Sequence, residues 1–325
     1  MIEDNDELMM ETMYWWGVPT LFRCEHNKDF SNCDIALVGV PHSTGNGTTE
    51  RDQHLGPRAV RHVSAGLRRV HLDFNINPWK KKKIFDLGDV ALPHANNNEK
   101  CIEDITNFYK KISREKKPVV SIGGDHSITG GILQGLGANN LEMTKGKKIS
   151  FLHIDAHTDT FSQLDHFMGA KKSAAHWGAY LVDQKIIDPK TSMQIGMRGN
   201  PRTLDWLQPS YDLGYNVVTM DEFKKRGIDN VIQETLEKIG DNPVYITFDL
   251  DSLDASVAPA VSNIEPSFTG FTIDEAKTLI QSVKNKNVIG GDVVCLMPTK
   301  DQKNNITSMV AASIMFEIIS VIAYK

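Results

Sequence analysis

Three apolar runs, far apart along the chain, each end on acids or a histidine, and this recurrence constrains the fold more than any other feature. Residues 119–122 lead into Gly123-Gly124-Asp125-His126-Ser127. Residues 149–154 lead into Asp155-Ala156-His157-Thr158-Asp159, and residues 245–248 into Asp249-Leu250-Asp251. Short continuous apolar runs of this kind read as strands buried on both faces, the habit of a parallel sheet covered by helices. In an open α/β sheet, ligands gather beyond the carboxyl ends of the strands. Alternate residues of a strand share a face, so Asp155, His157 and Asp159 can point one way.

Pooled, these strand ends offer four carboxylates (Asp155, Asp159, Asp249, Asp251) and two imidazoles (His126, His157). Half-buried and unpaired, such a set would suffer mutual repulsion and desolvation. A cation removes both problems. The set is too large for one tetrahedral zinc and contains no thiolate. It suits two divalent ions sharing carboxylate bridges, manganese or nickel rather than structural zinc.

The rest of the chain alternates in the same manner. Strand-like runs are expected at 34–41, 83–86, 119–122, 149–154, 193–197, 216–220, 244–249 and 288–294. Helices are expected at 101–114, 129–137, 174–183, 227–239, 273–283 and 307–323, with a further helix opened by Gly56-Pro57. This alternation argues for a sheet with helices on both faces. Residues 1–33 read as an arm and residues 34–325 as a single α/β domain, since the candidate ligands come from three separated segments. The net charge is −5, which gives nucleic-acid binding no support; Lys80-Lys81-Lys82-Lys83 reads as a solvated loop. The apolar tail at 314–324 is short for a membrane span and carries Glu317. The N-terminus lacks a signal-peptide charge pattern. Cys24, Cys33, Cys101 and Cys295 lack metal or redox spacing, so free thiols in a reducing cytoplasm are expected.

In order, Gly123-Gly124-Asp125-His126, Asp155-Ala156-His157-Thr158-Asp159 and Asp249-Leu250-Asp251-Ser252-Leu253-Asp254 resemble the motifs of the arginase–agmatinase (ureohydrolase) family. Gly56-Pro57-Arg58 and Gln194-Ile195-Gly196-Met197-Arg198-Gly199 extend the resemblance over nearly the whole chain. It implies a three-layer αβα fold around a mostly parallel central sheet of about eight strands. It also implies two Mn²⁺ ions (Ni²⁺ as the alternative) and hydrolysis of a small guanidino compound to urea through a metal-bridging hydroxide. The ligands would be His126, Asp155, His157, Asp159, Asp249 and Asp251, with His126 and Asp159 at opposite ends and Asp155 and Asp249 among the bridging groups. Family likeness further implies a homotrimer or homohexamer. Asp125 would orient His126, and His153 reads as an ordinary strand histidine.

Collapse of the tetrahedral intermediate needs a proton on the leaving amine, work suited to a histidine. Two lie on the loop after Asp159: His166, and His176 in His176-Trp177-Gly178, the nearer match to the family's His-Gly. The chain also departs from the family. Where guanidinium-binding members carry Asp-x-x-Glu-x-x-Pro, it has Asp292-Val293-Val294-Cys295-Leu296-Met297-Pro298. A thiol cannot make the bidentate charge-assisted pair of a carboxylate. Cys295, Asn263, Asp254 and His166 are therefore the candidate substrate-side residues, with Glu50 or Asp52 as sources of the missing anion. Agmatine, guanidino acids and guanidine all remain open as substrates. The alternatives are a non-catalytic metal-binding homologue, a hydrolase of a formimino-type amidine, and a single-zinc deacetylase, against which the six-ligand set argues.

Overall fold

Runs rich in Val, Ile and Leu form the centre of the protein because both of their faces are covered. The structure is a computed structural model that describes residues 17–47, 50–137, 141–164, 167, 169–266 and 269–325. Among these, nine strands make one sheet: β1 (Glu25–His26), β2 (Ile35–Val40), β3 (Ile84–Asp89), β4 (Val119–Gly123), β5 (Ser150–Ile154), β6 (Met193–Met197), β7 (Asn216–Thr219), β8 (Pro243–Asp249) and β9 (Asn287–Val294). Their order is β1-β3-β2-β4-β9-β8-β5-β6-β7, and every pairing is parallel. All residues of β2, β4, β5, β6 and β8 are buried. That is why these strands read as continuous apolar runs rather than alternating ones.

Each face has its own core. Ile102, Ile105 and Tyr109 of helix Asn98–Arg114 and Ile132 of helix Ser127–Gly137 pack against Ala36, Val38 and Val119. On the other face, Val60 of helix Gly56–Ser64, Leu279 and Ile280 of helix Ile273–Ser282, and Ile314 and Ile318 of helix Ile306–Tyr324 pack against Leu37, Val120 and Ile246. This is a three-layer αβα architecture, with nine strands rather than about eight. Helix Ile306–Tyr324 is long and apolar enough to cross a membrane by composition alone. It is instead a core helix: 67% of its most apolar window is buried, and Glu317 pairs with His71 at 2.9 Å.

The extra strand lies in the proposed arm. Residues 1–16, with Tyr14, Trp15 and Trp16, are outside the described residues. From residue 17 onward the chain packs on its own core: Leu21 and Phe22 are buried, and Phe22 lies 5.5 Å from the ring of Trp79. Glu25 and His26 then pair with Phe85 and Asp86. Two exposed residues carry no hydrophobic period, so β1 left no signal in the sequence.

Candidate metal centre

The chemistry-bearing segments lie on neighbours. Strands β4, β9, β8 and β5 are consecutive in the sheet, and their carboxyl ends deliver His126, Cys295, Asp249 with Asp251, and residues 155–159 to one place. The turn after β4 is tight: a Cβ on Gly124 would lie 2.0 Å from the His42 carbonyl oxygen, so only glycine fits. Asp125 does not orient His126, contrary to the sequence expectation. Its carboxylate accepts from the amides of Gly45 (2.8 Å) and Ser127 (2.9 Å) and fixes the loop after β2.

His126 Nδ1 stands 2.9 Å from Asp155 Oδ2, 2.9 Å from Asp159 Oδ2 and 3.2 Å from Asp249 Oδ2. His157 Nδ1 stands 3.2 Å from Asp251 Oδ2 and 3.5 Å from Asp155 Oδ1. All six expected ligands therefore converge, and Asp155 presents one oxygen to each half. Yet His126 Nδ1 and Asp251 Oδ2 are buried without a hydrogen bond: the atoms are close, but they do not aim at one another. Octahedral ligands about 2.1 Å from a common ion stand about 3 Å apart, which is the spacing here. The donor set, oxygen-rich with two imidazoles, fits hard-to-borderline divalent ions.

A second ring of contacts holds the set. His126 Nε2 faces Thr247 Oγ1 at 2.8 Å, and Thr247 donates to Asp292 Oδ1 at 2.7 Å. Asp292 also accepts from Thr129 (2.8 Å) and Tyr245 (2.9 Å). Trp177 Nε1 donates to Asp159 Oδ2 at 2.9 Å, so the tryptophan beside His176 is a support of the cluster. His153 is more than an ordinary strand histidine: Nε2 lies 2.7 Å from Asp155 Oδ2 and Nδ1 3.1 Å from Gln194 Nε2. Backbone strain gathers here, with left-handed φ of 51° at Asp159 and 70° at Cys295.

Charge and burial compete throughout. Burial opposes protonation of His126, but Asp155, Asp159 and Asp249 outweigh it and hold the imidazole well above its ordinary pKa. His157 is raised in the same way, Asp251 being the strongest of the charges that overcome its burial. Burial, then the neighbouring Asp249, lifts Asp251 well above the carboxylate range. Asp155 falls well below it, because His153 and His126 overcome its burial.

A cavity of about 220 Å³ opens over His157, Thr158 and Asp159. Of the substrate-side candidates, Asn263 lines it, whereas His166 lies outside the described residues. Cys295 is buried beside the cluster; burial first, and then Asp249, push its thiol well above the usual range. Asp254 braces a turn, accepting from Ser256 N at 3.0 Å and Gly270 N at 3.1 Å. His176 is buried, with Nδ1 2.5 Å from Ser173 Oγ. Neither Glu50 nor Asp52 supplies an anion to the cavity: Glu50 pairs with Lys300 at 2.8 Å, and Asp52 accepts from Thr299 N at 2.7 Å. Besides Asp159 of the cluster, a carboxylate that does line it is Glu265, 3.3 Å from His157 Nε2. Its only sequence signal was its place on the loop of Asn263. Arg198, also in the wall, donates to the carbonyls of Asp251, Ser252 and Leu253 at 2.7–2.9 Å and so pins the loop after β8.

Comparison with known proteins agrees with this geometry. The chain is 32% identical over 304 residues to the human mitochondrial guanidino acid hydrolase, covering 93% of this chain and 82% of that protein. It is 29% identical over 309 residues to guanidinopropionase of Pseudomonas aeruginosa, covering 94% and 92%. Among solved structures, proclavaminate amidino hydrolase from Streptomyces clavuligerus superposes with a TM-score of 0.85 at 28% identity, covering 96% and 99%. The model of the arginase family matches residues 33–320, and the chain belongs to that family.

Proposed function

We propose that this chain is a metal-dependent amidinohydrolase that cleaves a C–N bond of a small guanidino compound and releases urea. The observation that carries the reading is the meeting of His126, Asp155, His157, Asp159, Asp249 and Asp251 at the ends of adjacent strands. These residues would hold two divalent ions, Mn²⁺ in the first instance and Ni²⁺ as the alternative. When bound, such a pair lowers the pKa of water towards neutrality and supplies the nucleophile. The names of the relatives, guanidino acid hydrolase, guanidinopropionase and agmatinase, favour a guanidino substrate.

The protein's own side chains do the positioning. Trp177 holds Asp159, which anchors the edge of the cluster below the cavity. Thr247 and His153 fix the neighbouring ring and carboxylate. His176 is our candidate to protonate the leaving amine: Ser173 at Nδ1 fixes its ring on the loop that walls the cavity. We extend the reading to assembly as a homotrimer or homohexamer, to be checked by light scattering.

Full-length protein loaded with manganese or nickel is expected to release urea from at least one of agmatine, 3-guanidinopropanoate, 4-guanidinobutanoate and guanidine. Release of formamide from an N-formimino compound instead would move the substrate class. Silence across the panel with both ions bound would contradict the reading and favour the non-catalytic homologue to which Cys295 points.

A further inference from the structure

The cavity over the cluster carries opposite charges on two of its walls, and neither was assigned a role above. Glu265 is one. Its carboxylate touches the outer nitrogen of His157, and the backbone is shaped to admit it: Gly199 has φ of +108°, and a Cβ there would lie 2.7–2.9 Å from the Glu265 carboxylate. Arg202 is the other. It is solvent-exposed at the cavity wall, and among the described residues it makes no ion pair or hydrogen bond. The contrast with Arg198, whose fork is committed to backbone carbonyls, is direct. Among the described residues, the acids lining the cavity, Asp159 and Glu265, both lie against the cluster.

We propose that the cavity takes a guanidino compound bearing a free carboxylate, the guanidinium set against Glu265 and the carboxylate against Arg202. The proposal rests on the hydrolase reading above and sharpens it to a substrate class. With a thiol at position 295 in place of a carboxylate, a guanidinium entering the site needs a carboxylate elsewhere, and Glu265 faces the cavity beside the cluster. A planar guanidinium pairs with a carboxylate through two parallel hydrogen bonds. Arg202 offers the same fork to the far end of the substrate. An amine at that far end, as in agmatine, would meet a like charge, with no acid beside it among the described residues that line the cavity.

The test compares 4-guanidinobutanoate with agmatine, compounds of nearly equal length and opposite terminal charge, on full-length manganese-loaded protein. Wild type is expected to favour the acid by roughly tenfold or more in kcat/KM. Arg202→Glu should raise KM for the acid and reverse the preference, leaving kcat little changed. Glu265→Gln should weaken both compounds alike. A wild-type preference for agmatine, or an Arg202→Glu variant with an unchanged ratio, would overturn the proposal. Titration calorimetry with the same two compounds judges it independently of turnover. If no urea is released from either compound or from the rest of the panel above, the hydrolase reading fails, while tighter binding of 4-guanidinobutanoate that is lost in Arg202→Glu still supports the zwitterion site. Equal binding of the two compounds, or binding of neither, overturns it.

Discussion

His126 is held from both sides: three carboxylate oxygens face Nδ1, and the Thr247 hydroxyl faces Nε2. Thr247→Val removes the hydroxyl and leaves an oxygen of buried Asp292 without its donor. Metal affinity is expected to fall roughly 10- to 100-fold with the fold intact, measured by competition with a chelating dye; unchanged affinity would remove Thr247 from the support of the site. Cys295→Ser tests a different point. Burial, and then the neighbouring Asp249, raise its thiol pKa above the usual range, which disfavours the nucleophilic thiolate, and the serine variant should retain urea release within about tenfold. A loss beyond about a thousandfold would mean that sulfur takes part in the chemistry. The six converging side chains were legible because their spacing on strand ends is unusual. Thr247 and Asp292 were not, since a threonine and an aspartate in apolar strands announce no partner. Glu265 was hidden for another reason: only the folded loop brings it over His157.

Elements meet most tightly at Asp86 in β3. The carboxylate accepts from Arg61 Nε (2.8 Å) and Nη2 (2.9 Å) of helix Gly56–Ser64, and from the amides of Leu21 and Gly88 (both 2.9 Å). It thereby ties helix, sheet and the segment before β1 together. Arg61→Met strands that carboxylate in the interior and should cost about 3 kcal/mol, read as a lower midpoint in urea denaturation; a change below about 0.5 kcal/mol would contradict the role. Burial alone would raise the Asp86 pKa, but the Arg61 fork outweighs it and holds it below the ordinary value. Its stabilisation is therefore complete above the unfolded value of about 4 and is lost as pH falls through the folded value. Wild type should lose stability through that acid window more steeply than Arg61→Met. At this scale the sequence was highly legible, because buried parallel strands are continuous apolar runs and their helices are amphipathic. β1 was the exception, as was the short helix Pro78–Lys81 that interrupts the lysine run.

The whole molecule is a scaffold for four neighbouring strand ends. A sheet ordered β4-β9-β8-β5 at its centre brings together segments more than a hundred residues apart, and buries four carboxylates that, among the described residues, face imidazoles but pair with no Lys or Arg. Divalent ions should consequently stabilise the fold as a whole, and stripping them should lower the melting temperature. The residues that wall the cavity sit on loops over those ends, so the fold class was readable where the ligand class needed coordinates. The most direct test is elemental analysis of full-length protein after manganese reconstitution and removal of loose metal, with Asp155→Asn in parallel. Two ions per chain in wild type, falling in the variant, is the outcome this account predicts; wild-type protein that retains no divalent metal would contradict it.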